Sequence, residues 1–296
     1  MPLLNPRVDL AFKILFGTEE NKDLLISFIN AVVSEEDQVA SIELLNPYNS
    51  RNFQNKKGSI LDIKAKGVDG KYFDIEVQVS DEGDYDKRAL FYWAKLYSDQ
   101  LNSGDGYRKL RKAIGIHVLN FNCIVNNTSY RNKWHVTEEN SGQKYFDDFS
   151  IYTIELEKFR ANTDESLDDI LPRIRTGLDR WSAFLIKASY LDRNHLPKEM
   201  EDPCIKKALD VLSVASLNPE EQEIYEGHLK WLRAEMSAVE KAEGKAREEG
   251  RAEGREEGRA EEREKTARIL LKQGISISVI AAATGLSEQE IRSLKL

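Results

Sequence analysis

Apolar and polar residues alternate along two neighbouring segments in the first third of the chain, residues 60–66 and 72–79. A period of two is typical of a β-strand with one buried face. Between the two segments, Val68-Asp69-Gly70 has the composition of a tight turn. The pattern therefore predicts a β-hairpin over residues 60–80. Its apolar positions are Leu61, Ile63, Ala65, Phe73, Ile75, Val77 and Val79.

The alternation also predicts the register of this hairpin, because a slip of one residue would move a whole apolar set to the other face. A three-residue loop with Gly70 in the left-handed conformation keeps both apolar sets on one side of the sheet, whereas a two-residue turn does not. We therefore expect the three-residue loop. It places Lys64 opposite Asp74, and it places Asp62 opposite Glu76.

Two carboxylates that face each other across a sheet repel unless something neutralises them. A hard divalent cation such as Mg²⁺ would neutralise Asp62 and Glu76 and leave positions for water and a phosphate. The alternative is an ordinary solvated sheet face, on which Lys64 and Lys66 balance the acidic side chains. The pattern alone leaves both interpretations open.

Further elements are predicted on both sides of the hairpin. Apolar spacing indicates three helices and three strands, at residues 6–17, 22–33 and 84–101 and at residues 39–47, 113–121 and 149–156. The third helix carries an apolar stripe that we expect to pack in the core, formed by Leu90, Trp93, Ala94, Tyr97 and Leu101.

Composition excludes several classes of protein. The net charge of −8 and the pI near 5.3 argue against a basic nucleic-acid coat, although an enzyme that acts on DNA needs only a local basic groove. The two cysteines have no spacing for zinc or a disulfide framework, and the four histidines are expected to be core or surface residues. No apolar run approaches the ~20 residues that span a bilayer, so we expect a cytoplasmic protein without a membrane partner.

Three blocks of sequence together resemble a known family. Asp62, the hairpin and Glu76-Val77-Gln78 look like the catalytic hairpin of the PD-(D/E)XK nuclease superfamily, and specifically its Rpn branch of recombination-promoting nucleases, often labelled transposases. That branch is similar in having Glu-x-Gln where other members have Glu-x-Lys. It also shares the opening from Pro6 to Gly17 and the helical segment from Lys87 to Trp93.

The resemblance implies an α/β fold, a PD-(D/E)XK-like nuclease core with a mixed sheet flanked by helices, followed by an all-helical C-terminal region. We expect four parts: a nuclease domain, a helical region, a charged Glu/Arg/Gly-rich helical spacer and a small helix-turn-helix-like unit, over residues 1–160, 161–239, 240–265 and 266–296. In the last unit, Ser287 and Glu290 have the spacing of a capping box that begins a short final helix.

The resemblance also implies the roles of the site residues. Asp62 and Glu76 would hold Mg²⁺ or another divalent cation such as Ca²⁺ or Mn²⁺, and Gln78 would orient water or phosphate through its amide. Asp9 would approach the metal as an additional carboxylate, and Lys13 would offer the positive charge that glutamine lacks. The spacing of Asp9 and Lys13, one helical turn apart, predicts an i,i+4 ion pair, and the alternative to these roles is that the pair is an ordinary surface ion pair.

Cationic side chains near the hairpin are candidates for DNA contact. Arg88 begins the helix after the Glu-x-Gln strand and could clamp a phosphate by two hydrogen bonds, and Lys64 could stabilise developing negative charge. The densest basic cluster comprises Arg108, Lys109, Arg111 and Lys112. It would contact the DNA backbone without regard to sequence, although such a cluster is also typical of a solvated loop.

The sequence therefore predicts a metal-dependent DNA endonuclease that hydrolyses phosphodiester bonds, with a role by resemblance in recombination or in mobile-element and phage-related processes. The alternative is a non-catalytic interaction or DNA-binding protein that acts through its C-terminal helices. We expect homo-oligomers formed through these helices. Met200 and Met236 precede self-contained helical sequence, which raises the hypothesis that an internally started C-terminal fragment assembles with the full chain.

Overall fold

The computed structural model describes residues 3–48, 63–80, 83–160, 165–213 and 217–294. The chain divides into two compact units, Met1–Arg233 and Ala234–Leu296. The first unit contains the hairpin, and the second contains the final helices.

The described residues of the first unit form one mixed six-stranded sheet with the order β1-β2-β3-β4-β6-β5. Strands β3, β4 and β6 run parallel, and the remaining neighbours pair antiparallel. The strands are β1 (Ile42–Leu44), β2 (Ile63–Gly67), β3 (Tyr72–Gln78), β4 (Ala113–Leu119), β5 (Arg131–Trp134) and β6 (Phe149–Glu155).

Helices lie on both faces of this sheet, and further helices follow in the second unit. In chain order they are α1 (Asp9–Phe16), α2 (Lys22–Val32), α3 (Tyr85–Ser98), α4 (Leu156–Phe159), α5 (Leu167–Ile170), α6 (Gly177–Lys187), α7 (Pro203–Val211), α8 (Pro219–Lys272), α9 (Ile277–Thr284) and α10 (Glu288–Ser293). Within the described ranges, every helix is too short or too polar to span a membrane.

The main core lies between one face of the sheet and helices α1, α2 and α6. Aromatic rings from these three helices pack together, with centroid distances of 5.1 Å from Phe16 to Phe28 and 5.3 Å from Phe16 to Trp181. At the end of α2, the backbone N–H of Ser34 donates to the hydroxyl of buried Tyr152 on β6. On the predicted apolar side of the hairpin, Ile63, Ala65, Phe73, Ile75 and Val77 are buried and Val79 is half-buried, whereas Leu61 lies outside the described residues.

Helix α3 covers the opposite face of the sheet. Trp93 donates a 2.8 Å hydrogen bond to the carbonyl of Ala113 at the start of β4, and its ring packs 4.6 Å from that of Phe149 on β6. The predicted stripe is wrong at Leu90, which is 55% exposed, and at Ala94, which is also exposed, because Ala89 and Leu96 supply the buried apolar contacts instead. The sheet is thus flanked by helices on both faces, which confirms the predicted α/β fold.

The hairpin has the predicted register and turn. Lys64 lies opposite Asp74. Between Gly67 and Lys71, the N–H of Gly70 donates to the carbonyl of Gly67 at 2.9 Å, and Gly70 has a φ of 88°. A left-handed backbone at this position explains why the loop uses glycine, which has no Cβ to clash.

The second unit has a small core of its own, formed by Ala267 near the end of α8, Ile280 on α9 and Ile291 on α10. Ser287 and Glu290 exchange side-chain-to-backbone hydrogen bonds at the start of α10, which confirms the predicted capping box. Residues 240–265, predicted as a charged helical spacer, lie within α8.

Candidate active site

Strand β3 presents Asp74, Glu76 and Gln78 on the face that α3 covers. These side chains share a face because successive residues of a strand alternate sides. Their exposed fractions are 1%, 2% and 6%. The interpretation of this strand as an ordinary solvated sheet face is therefore wrong for all three residues. Burial of two carboxylates on one strand is costly without compensating charge or hydrogen bonds.

Glu76 and Gln78 contact each other directly. The side-chain amide of Gln78 donates a 2.9 Å hydrogen bond to Oε2 of Glu76, within the buried face. The two residues are neighbours on one side of β3, so the extended backbone brings the amide to the carboxylate. This bond fixes the orientation of the Glu76 carboxylate, and carboxylate oxygens are ligands that hard divalent cations prefer.

Asp62, the other predicted metal ligand, lies outside the described residues. The observed register pairs Ile63 with Ile75, and one further step would place Asp62 opposite Glu76. That pairing stays a prediction. Among the described residues, no group of three or more His, Cys, Asp and Glu side chains is arranged to hold a metal ion. A carboxylate pair from Asp62 and Glu76 nevertheless fits a hard divalent cation, because such cations prefer oxygen ligands.

His117 lies beside Glu76 on the neighbouring strand β4. Its ring is fully buried, and Nδ1 is 2.8 Å from the hydroxyl of Tyr85 on α3. Burial, and then the nearby positive charge of Arg88, lower the pKa of His117 to about 4. The imidazole is therefore neutral near pH 7. Sequence analysis placed it only as a core or surface residue; the signal was one polar side chain inside the apolar run of β4.

Asp9 and Lys13 form the predicted ion pair on α1, with 3.4 Å between Lys13 Nζ and Asp9 Oδ1. Lys13 is buried and Asp9 is half-buried, so the alternative of a pair on the open surface is wrong. The chain directly after α1 lies near β2. A Cβ built on Gly17 would be 3.6 Å from Cγ1 of Ile63. The helix that carries Lys13 thus ends close to the residue that follows Asp62.

Two of the predicted DNA-contacting cations lie near the buried carboxylates. Lys64 is directly opposite Asp74 in the hairpin register and is half-buried. Arg88 is in the first turn of α3 and lies close enough to His117 to affect its pKa. The structure therefore brings Lys64 and Arg88 to the same region of the sheet as Glu76.

The basic cluster Arg108, Lys109, Arg111 and Lys112 lies at the other end of the sheet. The carbonyl of Lys112 accepts a hydrogen bond from the N–H of Tyr72 at the start of β3. Glu76 is four residues further along that strand, roughly 13 Å away at the usual rise per residue. The ammonium of Lys112 also lies 2.7 Å from both carboxylate oxygens of Asp37, and Lys109 pairs with Asp105. The structure does not bring this cluster to the carboxylates.

A family described as the PD-(D/E)XK nuclease family transposases matches residues 6–242. The matched range includes α1, the hairpin and α3, which together form the region described above. No curated protein and no solved structure matches the chain.

Proposed function

Because the chain belongs to the PD-(D/E)XK nuclease family transposases, we propose that it is a divalent-metal-dependent DNA endonuclease that hydrolyses phosphodiester bonds at the hairpin. The observation that carries the proposal is the buried Glu76 carboxylate, which is held by the amide of Gln78. Membership of the family supports a nuclease or transposase-like function. The hairpin register supports Asp62 as the partner of Glu76.

In this proposal Asp62 and Glu76 hold the cation, which would be Mg²⁺ or another divalent ion such as Ca²⁺ or Mn²⁺. When bound, the cation supplies stabilisation of the charge that develops on the phosphoryl group and a source of nucleophilic hydroxide at neutral pH. Gln78 fixes the orientation of the Glu76 carboxylate. The cover of α3 over this face keeps bulk water away from the carboxylates, which strengthens their interaction with a cation.

The proposed reaction also needs cationic side chains that stabilise developing negative charge. Glutamine at position 78 cannot supply the cation that lysine supplies in the Glu-x-Lys motif. Lys13, Lys64 and Arg88 are the candidates to stabilise developing negative charge, since preorganised donors in a water-poor site are effective. Asp9 fixes Lys13 through their ion pair and would add a carboxylate to the site.

DNA contact is proposed at two distances from the reacting phosphate. Lys64 and Arg88 would bind the backbone next to the reacting phosphate. Arg108, Lys109 and Arg111 would bind it further away, at the turn end of the hairpin. Lys112 is the weakest candidate in the cluster because its ammonium already neutralises Asp37.

Plasmid cleavage tests the proposal. We expect nicking or linearisation by the parent protein with Mg²⁺, and loss of cleavage with EDTA, in Asp62→Ala and in Glu76→Gln. Because a metal ligand is worth several kcal/mol in the transition state, each substitution should slow cleavage by roughly 100-fold or more. Glu199→Gln, at an exposed glutamate, is the matched control. Cleavage by Glu76→Gln at the parent rate would contradict the proposal, and absence of cleavage by every form would favour a non-catalytic binding protein.

We also propose that the second unit mediates self-association. Ile269 and Val279 in that unit are 50% and 55% exposed although they are large and apolar. Exposed apolar side chains are candidates for contact between chains where they form a contiguous patch. Sedimentation of the full chain should show an oligomer that Val279→Lys weakens. A monomer at micromolar concentration would contradict this proposal.

A further inference from the structure

Arg7 precedes helix α1 in the chain. In space it lies near the carboxyl end of β3, the strand that carries Glu76. Its Nη1 donates a 2.7 Å hydrogen bond to Oδ1 of Asn120, the residue after β4. The backbone N–H of Asn120 in turn donates a 2.9 Å bond to the carbonyl of Gln78. Two hydrogen bonds therefore connect the Arg7 guanidinium to the Glu-x-Gln segment.

The guanidinium of Arg7 is buried with an incomplete set of partners. The residue is only 9% exposed. Its Nε is buried, and no atom in the described residues accepts a hydrogen bond from it. A buried cation with an unsatisfied donor is costly, and an anion bound beside the guanidinium supplies the opposite charge.

A second guanidinium increases the positive charge at this place. Arg160 follows α4, which begins directly after β6, and its side chain is largely buried in an ion pair with Glu157. Burial, and then the charge of Arg160, lower the pKa of Arg7 to about 10, while Glu157 acts in the opposite direction. Glu157 acts on both arginines.

Both arginines lie at the carboxyl ends of parallel strands. Arg7 is bound to the ends of β3 and β4 through Asn120, and Arg160 comes just after the end of β6. In open α/β sheets this edge is where ligands bind. The planar guanidinium group matches a phosphate, which accepts two parallel hydrogen bonds.

We propose that Arg7, with Arg160 beside it, binds a backbone phosphate of the DNA next to the one that is cleaved. The identity of the anion rests on the proposed nuclease function. Arg7 is thus a DNA-binding residue, in addition to its contact with Asn120. The alternative is that Arg7 only fixes the end of β4. The two interpretations predict different DNA affinities for the variants Arg7→Gln and Asn120→Asp.

The test measures binding of the full chain to a fluorescent DNA duplex by anisotropy in EDTA, over a series of salt concentrations. We expect Arg7→Gln to weaken binding by about tenfold, and to reduce the slope of log affinity against log salt by about one, because one phosphate contact is lost. Arg180→Gln, which removes a guanidinium paired with Asp202, is the matched control and should change neither quantity.

A second variant separates the ligand from a structural role. Asn120→Asp keeps an oxygen acceptor for Arg7 but places a negative charge on it. We expect this variant to bind DNA about tenfold more weakly while its thermal unfolding temperature stays equal or rises, since the new carboxylate neutralises a buried cation. A structural role predicts unchanged DNA affinity in Asn120→Asp.

Several outcomes would overturn the inference. Parent-like affinity and salt slope in Asn120→Asp would do so, even if Arg7→Gln did not fold. A lower unfolding temperature in Arg7→Gln with unchanged DNA affinity would show that the residue has a structural role alone. Failure of the parent protein to bind duplex DNA would contradict the proposed DNA ligand. The binding experiment measures no cleavage, so it does not test the catalytic proposal. That proposal is contradicted separately, if Glu76→Gln cleaves plasmid DNA at the parent rate.

Discussion

The side-chain amide of Gln78 donates a hydrogen bond of 2.9 Å to Oε2 of Glu76 inside the covered face of the sheet. A hydrogen bond to an ionised group contributes roughly 1.5–3 kcal/mol, and here it fixes the orientation of the carboxylate proposed to hold the metal. Any donor of similar reach at position 78 should serve this purpose. The amide thus contacts the carboxylate, and its expected action on water or phosphate stays a prediction.

This relationship predicts different results for two substitutions of Gln78. Gln78→Leu removes the donor and should slow DNA cleavage by about tenfold or more. Gln78→Lys restores a donor and a positive charge, so it should keep cleavage within a few-fold of the parent. Initial rates of plasmid nicking at saturating Mg²⁺ measure both. Equal rates for the leucine and lysine variants would show that the bond to Glu76 is not used.

Asp37 should be important for stability. Its carboxylate is 1% exposed and lies 2.7 Å from Lys112 Nζ, with Lys71 and Lys133 at 3.7 Å and 3.9 Å. Removal of one partner from a buried ion pair leaves charges unpaired, so Asp37→Ala should lower the free energy of unfolding by about 3 kcal/mol. Urea denaturation measures this change.

The neighbouring acidic residue provides the control for that experiment. The side chain of Glu36 is 62% exposed and pairs with Lys133 at 2.9 Å. Glu36→Ala should therefore change the unfolding free energy by less than about 1 kcal/mol. If Asp37→Ala were as stable as Glu36→Ala, the lysines would not depend on the buried carboxylate.

His117 predicts a pH dependence of stability. The groups around it are Tyr85 and Arg88 from α3 and Glu76 from β3, and the pKa of His117 falls from 6.5 to about 4 on folding, mainly through burial. The unfolded chain therefore binds a proton between these values while the folded chain does not. Stability from the neutral ring is complete above pH 6.5 and is lost as the pH falls towards 4, by about 3 kcal/mol.

Comparison of variants isolates this effect from the titration of carboxylates. The difference in unfolding free energy between the parent and His117→Asn should shrink as the pH falls from 7 to 4.5. A constant difference for His117→Asn would mean that His117 binds protons equally in the folded and unfolded chain.

The turn of the hairpin should not tolerate a side chain at Gly70. Its φ of 88° is left-handed, and Gly70→Ala should cost about 1 kcal/mol of unfolding free energy from this conformation alone. Gly106 has a φ of −81° and open space around it, so Gly106→Ala should be neutral or slightly stabilising. Thermal or urea unfolding of both variants tests the prediction, and equal stability would contradict it.

The comparison of sequence and structure shows where local pattern is sufficient. The period-two alternation and the Val68-Asp69-Gly70 turn predicted the pairing of Lys64 with Asp74, and the structure has that pairing. Spacing likewise predicted the ion pair of Asp9 with Lys13. In each case the interacting residues are close in the chain, so the geometry of one strand pair or one helix determines their contact.

Alternation by itself determined which residues of β3 share a face, but only the tertiary structure decided what covers that face. The same polar pattern suits a solvated sheet, and the packing of α3 turned Glu76 into a buried carboxylate. Contacts such as that of Arg7 with Asn120 also came only from the tertiary structure. They join residues more than a hundred positions apart, and no local preference of the backbone encodes which distant segments meet at the end of a sheet.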